Sequence, residues 1–203
     1  MRARRNPWLR LAVFSLAAGL FALGYWWGNR YKQPETPEVH NAILLRPALH
    51  LPDFRARDYR NTEVNLGTLR GRWTLLLAGR LDDPGTPRGL VHLTRIYNRL
   101  AAQPDLQREL RILLLSPTPG TDGPRRLQDT VFSYNPGMDA AAGDPGDLAG
   151  LFAALGVDES TDGDPALYLL DPETRVQAVF TIRDDPAGIA ADLREIQQKT
   201  TRP

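Results

Sequence analysis

Three nearly continuous apolar runs of strand length constrain this chain most: Trp73-Thr-Leu-Leu-Leu-Ala78, Arg111-Ile-Leu-Leu-Leu-Ser116 and Ala166-Leu-Tyr-Leu-Leu170. A strand that is apolar towards both sides has to be covered on both sides, so these runs belong in the middle of a sheet packed between layers. The cover is written between them. From Pro87 to Ala102, Leu90, Leu93, Ile96, Tyr97 and Leu100 recur at helical spacing, which turns one face of a helix onto the sheet.

The remaining elements follow from punctuation and periodicity. Short strands at Asp53 to Ala56 and Glu63 to Asn65 flank a turn at Arg60-Asn61. Helices are predicted over Pro124 to Tyr134 and Pro145 to Leu155, with Gly156 placed to end the second. Asp171-Pro-Glu-Thr174 turns the third run into a strand over Arg175 to Thr181. Pro186 to Lys199 closes the chain as an amphipathic helix with Ile189, Leu193 and Ile196 inward. A β-α-β start followed by a β-β-α end describes an α/β sandwich of thioredoxin-like type, a central mixed sheet flanked by helices.

Ahead of this lies a different kind of segment. Leu11 to Trp27 carries no charge over about 17 residues, or about 25 Å of helix, near the lower limit for spanning a bilayer. Trp8, Tyr25, Trp26 and Trp27 stand at its ends, where amphipathic rings favour the headgroup level. Arg2, Arg4, Arg5 and Arg10 precede it, and only Arg30 and Lys32 follow closely. That bias predicts a cytoplasmic N-terminus. A secretory signal has the same plan, but bulky Tyr25-Trp26-Trp27 occupies the place of a small-residue cleavage site. The expected organisation is a basic cytoplasmic tail over 1–10, a transmembrane anchor over 11–28, a Pro-spaced tether over 29–47 and a periplasmic domain over 48–203. The location implied is the inner membrane of a bacterium.

Composition removes several functions. There is no cysteine, so disulfides, thiolate nucleophiles and cysteine-ligated metals are excluded. Lys and Arg number 25 against 24 Asp and Glu, a balance that gives no reason to expect nucleic acid. Thr118 to Gly123 and Gly143 to Gly150 are Gly-rich but lack the Lys-Ser/Thr ending of a phosphate loop. Serines 116, 133 and 160 have no histidine base that the sequence identifies. No cofactor is expected.

Several stretches in order resemble the Sco/SenC family, the membrane-anchored copper chaperones of cytochrome c oxidase assembly within the thioredoxin-like superfamily. They are Pro52-Asp-Phe-Arg-Ala-Arg-Asp-Tyr-Arg-Asn61, Leu69-Arg-Gly-Arg-Trp-Thr-Leu-Leu-Leu-Ala-Gly79, Ser116-Pro-Thr-Pro119, Ala149-Gly-Leu-Phe-Ala-Ala-Leu-Gly-Val157 and Tyr168-Leu-Leu-Asp-Pro172. The resemblance implies a loop with two cysteines, C-P-x-x-C-P, after the first core strand, and a distal histidine that completes a copper site. This chain has Gly79-Arg-Leu-Asp-Asp-Pro-Gly-Thr-Pro87 in the loop, and the histidine position falls at Gly163. It therefore reads as a degenerate member without the CxxxC cysteines and without the distal ligand.

What survives is a pseudo-active site: a groove formed by Arg80, Asp82, Asp83, Pro84 and Thr86 on one side and Gly163, Asp164 and Pro165 on the other, suited to a partner segment. Asp164-Pro165 has the spacing of the thioredoxin-fold cis-proline loop. Asp82 and Asp83 read either as a cap for the following helix or as a carboxylate pair for a repurposed enzyme. His92 reads as a surface or core-edge residue. His40 and His50, on the tether and first turn, are the remaining candidates for weak copper binding. The expected function is a non-redox, non-enzymatic assembly or scaffold factor in respiratory oxidase biogenesis, with oxidase subunits or other assembly factors as its protein partners.

Overall fold

The computed structural model describes residues 7–30, 38–117, 120, 123–157 and 164–201. Helix α1 (Pro7–Arg30) precedes a sheet of eight strands. The three apolar runs become β4 (Trp73–Ala78), β5 (Leu110–Ser116) and β7 (Ala166–Leu170) and lie side by side at its centre. β4 pairs parallel with β5 and antiparallel with β7. Every residue of β4 is buried, as a strand covered on both faces requires.

One face of the sheet is covered by α3 (Gly85–Leu100), α5 (Pro124–Tyr134) and α7 (Pro186–Thr201). Leu90, Leu93, Ile96 and Leu100 of α3 are all wholly inaccessible, at about 1.5–3 kcal/mol of burial each. The other face carries α6 (Pro145–Leu155), the short α2 (Leu66–Leu69) and Leu51 and Phe54 of the chain before the hairpin. Gly156 ends α6 in the left-handed region at φ 68°, and its N–H returns to the carbonyls of Ala153 and Phe152.

Several elements differ from the sequence expectation. Residues 43–47, read as tether, belong to the edge strand β1 (Ile43–His50), which pairs antiparallel with β8 (Arg175–Thr181). The pairing breaks register between Leu44 and Leu49, around Pro47, which has no N–H to give to the ladder. The residues before β1 are also held. The buried carboxylate of Asp192 on α7 accepts the backbone N–H groups of His40 at 3.1 Å, Asn41 at 2.8 Å and Ala42 at 3.0 Å. β6 (Met138–Ala142) was also unforeseen. It pairs parallel with β5 and carries the small hairpin of β2 (Ala56–Arg57) and β3 (Glu63–Val64), which extends the sheet to its far edge. A further short helix, α4 (Pro104–Glu109), leads into β5.

Among the described residues no helix is long and apolar enough to cross a membrane. The side chains described in α1 are Trp8 and those from 14 to 24, and all are exposed.

Candidate functional site

The loop after β4 is built from backbone first. The Gly79 N–H bonds to the Leu115 carbonyl at 3.1 Å, which continues the parallel ladder one step beyond the strand. Two tight turns follow, from Asp83 N–H to the Arg80 carbonyl at 3.2 Å and from Thr86 N–H to the Asp83 carbonyl at 3.0 Å. Pro84 then occupies the N-cap of α3 and makes no side-chain cap bond. Neither aspartate is therefore the cap the sequence suggested. An Oδ2 of Asp83 turns back to the Arg80 N–H at 3.3 Å.

Asp82 leads elsewhere: its Oδ1 lies 3.7 Å from the Arg126 guanidinium on α5, with both side chains more than half exposed. The two carboxylates thus take different partners, Asp83 the Arg80 backbone and Asp82 the Arg126 guanidinium. Thr86 is only 2% exposed. A Cβ added at Gly79 would stand 2.6 Å from its Oγ1, so Thr86 packs beneath the loop and does not line a groove.

Across from the loop, Gly163 lies outside the described residues, while Asp164 and Pro165 are in place. The cis peptide among the described residues is Arg46–Pro47, and Asp164–Pro165, whose isomer the sequence leaves open, is trans. Pro165 rests against the first turns of α3. A Cβ at Gly89 would come within 3.3 Å of its Cγ and 2.9 Å of Leu77 Cδ2, so only glycine permits this approach.

The Asp164 carboxylate joins two arginines that the sequence reading passed over. Arg88 Nη1 donates to Oδ1 at 3.1 Å and Arg183 Nε donates to Oδ2 at 2.7 Å. Arg88 Nε also donates to the Pro84 carbonyl at 3.2 Å. A chain of charge-assisted bonds thus ties the loop end, α3, the segment before β7 and the turn after β8 to one another. No local signal marks Arg88 or Arg183, because their partner is far away in the chain.

His92 on α3 is 5% exposed, a core-edge residue as expected. Burial, with help from the Arg95 guanidinium, lowers its pKa below the ordinary histidine value against the opposing charges of Asp184 and Asp185. His40 and His50 lie beyond and at the two opposite ends of β1, on the order of 30 Å apart along an extended chain, and share no site.

A thioredoxin-like α/β sandwich with a sulfur-free loop at the end of its first core strand is the class of protein defined here. The chain belongs to the SCO1/SenC family, whose pattern matches residues 45–198. It is similar to a Stutzerimonas stutzeri protein named for copper binding, at 27% identity over 118 residues, which are 58% of this chain and 57% of that protein. The match thus spans little more than half of that relative's length. Among solved structures it is similar to yeast Sco1, with a TM-score of 0.68 at 21% identity over 78% of this chain and 99% of that one. It is similar also to copper-bound Arabidopsis thaliana ScoI, with a TM-score of 0.62 at 19% identity over 73% of this chain and 98% of that one.

Copper is the cargo the family implies, and the donors of this site do not suit it. The loop offers carboxylates and backbone in place of soft sulfur. Among the described residues no three His, Cys, Asp or Glu side chains gather in a group able to hold a metal ion. Asp164, on the far side, is committed to two guanidinium groups.

Proposed function

We propose that this chain is a non-redox, non-enzymatic SCO1/SenC protein that acts as a membrane-anchored assembly or scaffold factor in respiratory oxidase biogenesis, binding partner proteins rather than carrying copper. The observation that carries this reading is the remade site. The fold that presents the loop is intact, whereas the loop holds no thiol and the facing segment is tied down by Arg88, Asp164 and Arg183. What stays available at the surface is Asp82 and Pro84, which are exposed, with Arg80 and Asp83 half-buried beside them.

Anchoring is supported by the uncharged run from Leu11 to Trp27 and by α1, where Phe14, Leu16, Leu20, Phe21 and Leu23 are all exposed. Apolar side chains spread along a helix and left off the domain are unfavourable in water and at home in lipid. The arginine bias supports a periplasmic domain in a bacterial cell. The test is a pull-down of the full-length protein, tagged at its C-terminus, from solubilised membranes, with bound copper measured in the same sample. Recovery of oxidase subunits or assembly factors without stoichiometric copper is expected. Stoichiometric copper, or oxidase assembly unchanged by loss of the gene, would overturn the reading.

A further inference from the structure

A trough runs along the outer side of α3, beyond the remade loop. Its first part is an open groove of about 390 Å³ between α3 and the turn from β8 to α7, lined by Pro87, Arg88, Val91, His92, Arg95 and Ile182. Arg95 is shared with a second concavity of about 500 Å³ that continues to Asn98, Arg99 and Pro186. The α3 members recur at three- and four-residue intervals and so form one stripe along the helix.

The chemistry of the stripe is uneven in a useful way. Val91 is 39% exposed and, with Pro87 and Ile182, makes an apolar patch at one end. The acidic groups nearby are already engaged. Asp164 holds Arg88 and Arg183, Asp184 accepts the N–H and hydroxyl of Thr181, and Asp185 accepts the Gly188 N–H at the start of α7. Arg95 and Arg99 are exposed, and neither has a carboxylate within ion-pair distance among the described residues. His92 sits in the groove wall, and its buried Nε2 has no hydrogen-bond partner among the described residues. A buried polar atom left in this state costs free energy that a ligand or an ordered neighbour can recover.

We propose that this trough is a docking surface for an acidic segment of a partner protein, which lays an apolar side chain over Val91 and Ile182 and its carboxylates against Arg95 and Arg99. Charge complementarity selects the occupant: two exposed guanidiniums with no carboxylate partner among the described residues call for carboxylates, and Arg offers them a planar, two-pronged donor set. Concavity selects a protein segment over a lipid surface, because side chains enter grooves and a headgroup plane does not. The inference rests on the reading of this chain as a partner-binding protein, on a surface separate from the Arg80 to Pro84 loop.

The chain contains three histidines, and only His92 lies in the trough, so their imidazole C–H resonances report occupancy with two internal controls. The full chain in neutral detergent micelles is titrated with a short acetylated, amidated peptide alternating Leu and Glu, and with its Leu–Gln counterpart. The Leu–Glu peptide is expected to move the His92 resonance saturably while those of His40 and His50 stay. Binding should weaken by about tenfold or more in the Arg95→Glu, Arg99→Glu double variant, for the Leu–Gln peptide, and at high salt. Both substituted positions are exposed, so folding is unaffected, which circular dichroism verifies. No saturable shift, equal affinity for the two peptides, or equal affinity of the double variant overturns the proposal. Displacement of the peptide by vesicles containing phosphatidylglycerol also overturns it, by making the face a membrane contact. If the membrane pull-down recovers partners while the trough binds nothing, the scaffold reading stands and this surface does not serve it.

Discussion

Removing the Asp192 carboxylate should loosen the entry to the domain by an amount the structure allows to be worked out. Three backbone donors converge on it, from His40, Asn41 and Ala42, and its residue is 3% exposed. A hydrogen bond to a charged acceptor is worth about 1.5–3 kcal/mol net, so three would suggest a larger loss than is reasonable for a segment near the surface. The cap on the loss is the free energy of letting residues 38–42 peel away. His40 is exposed and Asn41 and Ala42 are half-buried, so freed donors reach water once the segment moves. Val39 and Ala42, which pack against the core under α7, would lose contact at the same time.

Asp192→Ala should therefore cost about 2–4 kcal/mol, well below the sum of three bonds. Asp192→Asn should cost less, about 1–2 kcal/mol, since one amide oxygen still accepts while the amide nitrogen faces a donor. Urea unfolding followed by circular dichroism gives the total, and amide exchange at residues 40–42 locates it. A loss below about 1 kcal/mol for Asp192→Ala, with exchange at 40–42 unchanged, would show that the carboxylate does not hold this segment.

Three further outcomes can be checked. Asp164→Asn should change global stability by less than about 1 kcal/mol, because the Arg88 and Arg183 side chains are 51% and 83% exposed and their pairing is screened; a loss of partner capture in that variant, compared by the same pull-down, then reports on the site and not on folding. The lowered pKa of His92 makes the unfolded chain bind its proton first, so stability should be full above the ordinary histidine pKa and fall as pH drops through that value towards the folded one. Urea midpoints measured down from neutral pH should show that decline, and His92→Gln should flatten it. Gly89→Ala should fail to stabilise α3: the roughly 1 kcal/mol of helix propensity is offset by forcing a methyl to within 2.9 Å of the wholly buried Leu77, at about 1–3 kcal/mol, so thermal unfolding should come at or below the temperature of the parent protein.

The core of the fold was legible because it is written in local patterns. The runs at 73–78, 111–116 and 166–170 are too apolar to sit anywhere but mid-sheet, and the spacing of Leu90, Leu93, Ile96 and Leu100 leaves a helix only one face to bury. β6 escaped notice because Met138-Asp-Ala-Ala-Ala142 has neither β-branched residues nor alternation, and it is a strand because β5 offers it a parallel edge. β1 escaped because Pro47 marks a loop in isolation, whereas an edge strand tolerates it where the ladder breaks register.

The same division holds for function. The sequence alone determined that no thiol chemistry is possible, since an absent cysteine needs no coordinates, and its ordered stretches were enough to show kinship with a family that the matched residues 45–198 bear out. It could not decide what replaced that chemistry. What Asp82 and Asp83 pair with, which residues hold Asp164, and which groups surround the exposed arginines of α3 all depend on how the chain packs in three dimensions. Such contacts have no periodicity or spacing to betray them, because they are set by the packing of helices on a sheet and not by neighbours in sequence.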